Sequence, residues 1–83
     1  MDQRAVGVIA IIIKNRQPGA REVNEALTRF GDIIVGRLGL PYPQRDLHII
    51  TLIVDATTDQ IGAMTGLLGQ IKDVTVKSTL AKV

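Results

Sequence analysis

Residues that could carry out catalysis are few in this sequence of 83 residues. It contains one histidine, His48, one serine, Ser78, and no cysteine. A single chain therefore cannot form a Cys-His pair or a metal site of several histidines, and Ser78 lacks the G-x-S-x-G surroundings of a hydrolase nucleophile. The carboxylates are scattered, and Glu22 and Glu25, which share a predicted helix face, are interpreted as solvated surface. The sequence predicts a protein that is not an enzyme and holds no cofactor or metal.

Two polar residues remain as binding candidates, and each has an alternative interpretation. His48 could meet its copy in a symmetric assembly and share a metal ion, or it could be a hydrogen-bonded histidine without a ligand. Arg37 stands in the glycine-flanked segment Gly36–Gly39, which leaves room for its guanidinium to bind an anion in a bidentate manner. The alternative for Arg37 is an edge-strand charge that discourages unwanted strand pairing.

Three glycines at helical spacing form a further unusual feature. Gly62, Gly66 and Gly69 lie at i, i+4 and i+7 of a predicted helix, where each glycine costs about 1 kcal/mol relative to alanine. Close packing within the fold would compensate for that cost, and so would contact with a ligand or partner. The sequence contains neither G-x-x-x-x-G-K-[ST] nor G-x-G-x-x-G, so a phosphate-binding loop is not expected.

Hydrophobic patterning predicts the elements that position these residues. A capping box from Thr57 to Gln60 marks the start of the second helix, and Gly31 is expected to end the first. The predicted order is a strand over 5–13, a polar turn over 14–19, a helix with Pro18 in its first turn, strands over 33–40 and 47–54, a helix to about 71 and a strand over 74–80. This βαββαβ order predicts an α+β, ferredoxin-like sandwich as a single domain over 1–83, with a four-stranded antiparallel sheet and both helices on one face.

Both faces of the two central strands are apolar, although the helices can cover only one face. Four or five aliphatic side chains left in water would forgo roughly 6–15 kcal/mol, comparable with the whole stability of a typical domain. We therefore expect a homo-oligomer, at least a dimer, joined through the open sheet face; the alternative is a monomer with a tolerated apolar patch. The expected interface residues are Ile9, Ile11, Ile13, Ile49, Thr51 and Ile53.

The charge and aromatic content argue against other partners. The formal net charge is +2, which is too small to predict nucleic-acid or membrane binding. Phe30 and Tyr42 lie outside the central strands, so no aromatic platform for RNA is expected. The longest apolar run, 5–13, is far shorter than the roughly 20 residues of a membrane span. We expect a complete, cytoplasmic chain that contacts neither nucleic acid nor membrane directly.

Three segments resemble a known family. They are 37–42 (RLGLPY), 61–70 (IGAMTGLLGQ) and 74–77 (VTVK), and Val23-Asn24-Glu25 extends the similarity into the first helix. Together they are similar to the iron-only hydrogenase system regulators, a family described as ACT-like and similar to the C-terminal domain of the nickel-responsive NikR repressors. The resemblance implies an ACT-like regulatory module with a role in an iron-only hydrogenase system.

The resemblance also implies where a small molecule would bind. ACT domains commonly bind amino acids at subunit interfaces near the loop after the first strand. We therefore expect a small-molecule or amino-acid ligand in that loop, with Arg37 as its anion anchor and Tyr42 as an apolar wall. The loop residues are Asn15, Arg16, Gln17, Pro18 and Gly19.

Two points limit the analogy with NikR and leave a second function open. The nickel site of NikR depends on several histidines and a cysteine, so the resemblance does not extend to metal binding. No ribbon-helix-helix segment precedes the first strand, so any role in transcription would pass through a separate DNA-binding protein. The alternative function is a structural module that binds no small molecule and docks on hydrogenase maturation proteins or on a repressor.

Overall fold

The computed structural model describes residues 4–14 and 16–82, with residues 16–18 described through their backbone only. The elements are β1 (Arg4–Lys14), α1 (Arg16–Arg29), β2 (Ile34–Tyr42), β3 (Leu47–Thr57), α2 (Thr58–Gly69) and β4 (Val74–Ala81), with single 3₁₀ turns at Gly31–Ile33 and Pro43–Arg45. The strands form one antiparallel sheet in the order β2-β3-β1-β4. The βαββαβ sandwich predicted from the sequence is confirmed.

The central pair of strands determines which residues face the helices. β1 and β3 pair along their full length, from Arg4 opposite Thr57 to Lys14 opposite Leu47. Since opposite residues in an antiparallel pair point to the same face, the odd-numbered residues of β1 share a face with the even-numbered residues of β3. That shared face is buried beneath the two helices.

The core lies between this face and the apolar sides of both helices. Burial of aliphatic side chains at about 1.5–3 kcal/mol each holds the layers together. The largest fully buried side chains are Ile9, Ile11, Ile13, Ile50, Leu52 and Val54 from the sheet, Val23 and Leu27 from α1, and Ile61, Met64 and Leu68 from α2.

The start of α2 follows the predicted capping box. The Thr57 hydroxyl accepts a hydrogen bond from the backbone N–H of Gln60 at 3.1 Å, and the Gln60 side chain accepts one from the backbone N–H of Thr57 at 3.0 Å. Two backbone donors that the helix itself leaves unpaired are thereby satisfied. The cap fixes where β3 turns into α2.

The ends of two elements differ from the prediction. α1 begins at Arg16, within the segment 14–19 that was expected to be a turn. Pro18 lies in the first turn of the helix, as predicted, where a proline without an N–H is tolerated. β2 continues through Pro41 to Tyr42, where the sequence had indicated that prolines end the strand. β2 is an edge strand with one unpaired side, and a proline is compatible with that position.

Gly7 of β1 lies opposite Leu80 of β4 and leaves room for the leucine side chain. A Cβ at this position would overlap Cδ2 of Leu80 and lie 3.2 Å from the carbonyl oxygen of Thr79. The Leu80 side chain therefore occupies the space that any larger residue at position 7 would need.

Within the described residues, neither helix has the length and hydrophobicity required to cross a lipid bilayer.

Candidate functional site

The open face of the sheet, opposite the helices, is the most distinctive surface of the molecule. Apolar side chains from three neighbouring strands share it without any cover from the described residues. Val8 is 47% exposed, Ile53 46% and Leu38 67%. The open face consists of Val6, Val8, Ala10 and Ile12 from β1, Ile49, Thr51 and Ile53 from β3, and Leu38 and Leu40 from β2.

The predicted interface residues of β1 are wrong. Ile9, Ile11 and Ile13 have no exposed surface and belong to the core. Ile9 lies opposite Leu52 and Ile11 opposite Ile50, both of which are buried under the helices. The prediction combined the odd-numbered residues of both strands, whereas the register places odd residues of β1 with even residues of β3.

The predicted interface residues of β3 do lie on the open face. Ile53 faces Val8 and Ile49 faces Ile12 across the β1–β3 pair, with Thr51 between them. Their participation in self-association stays a prediction.

Charged residues lie at the ends of the open face. At one end, Nη2 of Arg4 lies 3.1 Å from Oδ1 of Asp55, and both side chains are about half exposed. Such an exposed pair contributes about 0–1 kcal/mol to stability. Its main effect is to place charge at this end of the open face. Lys14 and Arg45 lie at the opposite end, and Lys77 lies on β4 opposite Ala10.

A surface cavity of about 420 Å³ opens at the Lys14 end of this face. We call it the turn cavity, because the turn between β2 and β3 forms one wall. Asp46 in this turn adopts the left-handed conformation, with φ 55° and ψ 43°, and its N–H donates to the carbonyl of Pro43 at 3.1 Å. The cavity is lined by Ile12, Lys14, Arg45, Asp46, Leu47 and Thr75.

The predicted ligand loop is shorter in the structure. Asn15 lies outside the described residues, and the backbone of Arg16, Gln17 and Pro18 forms the first turn of α1. Gly19 is buried, and a Cβ there would lie 3.0 Å from Cγ2 of Ile13. Gly19 therefore serves close packing between α1 and β1 in the folded chain, and ligand contact by this segment stays a prediction.

Arg37 and Tyr42, the other two predicted ligand residues, lie on opposite faces of the sheet. Arg37 pairs with buried Leu52 on the helix side and donates from Nη2 to Oδ1 of Asn24 on α1 at 3.2 Å. Tyr42 pairs with Leu47 on the side of the open face and is 39% exposed. One protomer does not bring these two side chains into one pocket.

His48 lies on the helix side of β3, beside Gly39 of the edge strand. A Cβ added at Gly39 would be 3.4 Å from Nε2 of this histidine. Within the described part of the chain, no group of three histidine, cysteine, aspartate or glutamate side chains is arranged to hold a metal ion. A face-to-face assembly would also separate two copies of His48, since each lies behind its own sheet.

The three helical glycines face outward. A Cβ at Gly62, Gly66 or Gly69 would meet no atom of the described residues within 4 Å. Close packing inside the fold therefore does not explain them, and partner contact remains the open interpretation.

The sequence and the fold of this chain match a known protein family and a solved structure. The family model TM1266-like, described as "Iron-only hydrogenase system regulator, putative", matches residues 5–78. The solved structure of the uncharacterized protein TM1266 from Thermotoga maritima is 35% identical, has a TM-score of 0.91, and covers 95% of this chain and 99% of that one. The chain belongs to the TM1266-like family. No curated protein matches it.

More distant structures place this TM1266-like protein among ACT-like folds. The ACT domain from GTP pyrophosphokinase of Chlorobium tepidum has a TM-score of 0.75 at 14% identity, covering 89% of this chain and 96% of that chain. The apo form of CPII from Thiomonas intermedia K12, a nitrogen regulatory PII-like protein, has a TM-score of 0.58 at 14% identity. The match covers 95% of this chain and 91% of that chain. At these identities the likeness shows the fold alone, and with the family it supports a regulatory module.

Several residues of the open face were missed by sequence reasoning. The expected interface residues did not include Val6, Val8, Leu38 or Leu40, and Lys14 was not singled out. The alternation of Ile and Val in β1 carried a usable signal, because the bulkier isoleucines at 9, 11 and 13 fill the core. The cavity at the turn depends on cross-strand register, which no local pattern supplied.

Proposed function

We propose that this TM1266-like protein is a non-enzymatic regulatory module of an iron-only hydrogenase system. It acts as a homo-oligomer in which two protomers pair their open faces and respond to a small ligand. The observation that supports assembly is the apolar open face, which no other described segment of the chain covers. An apolar surface shared by three strands is the kind of patch that marks protein interaction sites.

The magnitude of the hydrophobic gain supports pairing of two such faces. A half-exposed Val, Leu or Ile gains about 1 kcal/mol on complete burial, half of the value for a fully exposed side chain. Two faces together offer on the order of 10 kcal/mol, which falls within the 4–15 kcal/mol that association costs in lost freedom. Hydrophobic burial therefore roughly offsets the cost of association. Pairing at micromolar concentrations, which needs about −8 kcal/mol net, requires further contributions from ordered contacts across the interface.

A ligand-responsive role is supported by the family and by the surfaces around the open face. Arg37 is the proposed anion anchor on the helix side. The first turn of α1 and Tyr42 are the other proposed ligand contacts. Arg37 and Tyr42 lie on opposite faces of one protomer, and pairing of open faces leaves Arg37 behind its own sheet. A site that contains both residues would therefore require a different contact between protomers. A ligand that binds the native assembly would raise its melting temperature.

Sedimentation equilibrium tests the assembly, and thermal shift tests the ligand. A particle heavier than the 9.0 kDa chain at micromolar concentration is the expected result, and a 9.0 kDa particle would contradict it. A panel of amino acids and small anions should include at least one that raises the melting temperature. An assembled protein with a uniformly flat panel would favour the alternative function, docking on hydrogenase maturation proteins or on a DNA-binding repressor.

A further inference from the structure

The turn cavity combines apolar walls with two cationic side chains. Ile12 and Leu47, from the central strands, supply apolar surface, while Lys14 and Arg45 supply an ammonium and a guanidinium group. Four separate elements contribute: β1, the turn after β2, β3 and β4, which adds the hydroxyl of Thr75. Small-molecule sites characteristically pair a mostly apolar lining with a few polar groups that fix orientation.

The two cations are available to an anion from solution. Within the described residues the recorded ion pair joins Arg4 to Asp55, at the other end of the sheet, and no carboxylate lies within 4.0 Å of Lys14 or Arg45. Asp46 also lines the cavity, so the lining carries two positive charges and one negative charge. An excess of positive charge beside apolar surface selects an anionic head group over a neutral or cationic one.

Backbone hydrogen bonds order the segments that carry Lys14 and Arg45 before any ligand arrives. The Lys14 N–H donates to the carbonyl oxygen of Asp73 at 2.9 Å, which joins the end of β1 to the segment before β4. The left-handed Asp46 and its hydrogen bond to Pro43 fix the turn that carries Arg45. A backbone already ordered in this way loses less freedom on binding, which favours affinity.

We propose that the turn cavity binds a small organic anion with a carboxylate or phosphate head and an apolar body. The volume of about 420 Å³ lies within the roughly 300–1,000 Å³ of small-molecule sites. Lys14 and Arg45 bind the head, and Ile12 and Leu47 contact the body. This inference goes beyond the proposed function, since the turn cavity lies on the open-face side and is separate from the anion anchor proposed at Arg37 on the helix side. The cavity shares Ile12 with the face through which protomers are proposed to pair.

Two fluorescent dyes of nearly equal shape provide the test. The probe is 8-anilino-1-naphthalenesulfonate, whose sulfonate represents the anionic head, and the comparison dye is N-phenyl-1-naphthylamine, which lacks that charge. The double variant Lys14→Gln/Arg45→Gln should weaken binding of the sulfonate dye about tenfold, because it removes two charge-assisted contacts. Its affinity for the uncharged dye should stay within twofold. Displacement by octanoate or by octyl phosphate then identifies the preferred head group.

Matched variants separate a defined site from general attraction. Lys77→Gln removes one charge from the same face outside the cavity and should change the affinity for the sulfonate dye less than twofold. Lys14→Arg keeps the positive charge and should retain most of the wild-type affinity. Equal losses in Lys77→Gln and the double variant would overturn the proposal, as would parallel loss of both dyes in a variant that circular dichroism shows to be folded. If the double variant does not fold, each single glutamine variant, with about a threefold loss expected, serves instead.

Sedimentation of the same samples distinguishes failure of this site from failure of the proposed function. A monomeric wild type with charge-dependent dye binding would contradict the assembly and leave the anion site supported. If the wild type is assembled and the double variant binds the sulfonate dye as tightly as the wild type does, the anion site alone is overturned.

Discussion

Arg37 and Asn24 connect the edge strand to the first helix through one hydrogen bond, from Nη2 of Arg37 to Oδ1 of Asn24 at 3.2 Å. Both residues are exposed, so the contact exchanges readily with water and contributes little to stability. This hydrogen bond uses one donor of the guanidinium on the helix side of β2 and leaves the others available to an anion.

Arg37→Ala should therefore separate ligand binding from stability. We expect unfolding free energy to fall by less than about 1 kcal/mol, while affinity for a carboxylate ligand found in the thermal-shift panel falls about tenfold. Isothermal titration and chemical denaturation measure the two quantities. Asn24→Ala is the matched control, because it removes the same hydrogen bond and leaves the charge. Equal ligand affinity in wild type and Arg37→Ala would remove Arg37 from the site.

Ile53→Asp should convert the assembly into monomers. Ile53 lies on the open face opposite Val8, and an aspartate there would place an unpaired charge in an apolar interface at a cost of several kcal/mol. Because the side chain is 46% exposed in one protomer, the fold itself should survive. Sedimentation equilibrium measures the mass, and circular dichroism checks the fold.

The control for this experiment is Ala63→Asp, on the exposed surface of α2. It introduces the same charge away from the open face and should leave the mass unchanged. Dissociation by Ala63→Asp with an intact Ile53→Asp assembly would show that protomers pair through α2 and not through the sheet.

Gly66→Ala should stabilise the protein. The added methyl group meets no atom of the described residues within 4 Å, and alanine in a helix interior is favoured over glycine by about 1 kcal/mol. Urea unfolding should show a higher midpoint at an unchanged slope. A lower midpoint, or a smaller particle in sedimentation, would show instead that a partner packs closely against this side of α2.

Gly7→Ala, in contrast to Gly66→Ala, should destabilise the protein. The new Cβ would overlap Cδ2 of Leu80, so this partly exposed side chain would have to move. It would also crowd the carbonyl oxygen of Thr79 at 3.2 Å, so the β4 backbone would have to shift by a few tenths of an ångström. We expect the free energy of unfolding to fall by about 1 kcal/mol, at the lower end of the cost of overpacking. Urea unfolding of Gly7→Ala combined with Leu80→Ala should show partial recovery relative to Gly7→Ala, because the obstructing side chain is then gone. Additive losses in the double variant would contradict the steric explanation.

Local patterns in the sequence were sufficient to predict the element order, the capping box at Thr57 and the presence of an uncovered apolar face. They failed where the answer depends on pairing between strands. β1 is apolar at both its odd-numbered and its even-numbered positions, so its sequence alone did not reveal that Ile11 faces the helices while Ile12 faces outward. The separation of Arg37 from Tyr42 follows from strand alternation over five residues, and it was overlooked because the resemblance suggested a common pocket.

The apolar character of both sides of β1 and β3 also bears on how the chain reaches its fold. A polar face normally penalises a misaligned hairpin, because a slip of one residue would bury charges and expose the core. In this sheet, a slipped β1 would present Val6, Val8, Ala10 and Ile12 to the helices in place of Ile9, Ile11 and Ile13. Charge would reach that face only at the two ends of the strand, through Arg4 and Lys14. Shape therefore contributes to the alignment of β1 with β4, because Leu80 lies over Gly7 and a one-residue slip would set it against Val6 or Val8. The contact of one leucine with one glycine distinguishes the native register of this strand pair from its neighbours.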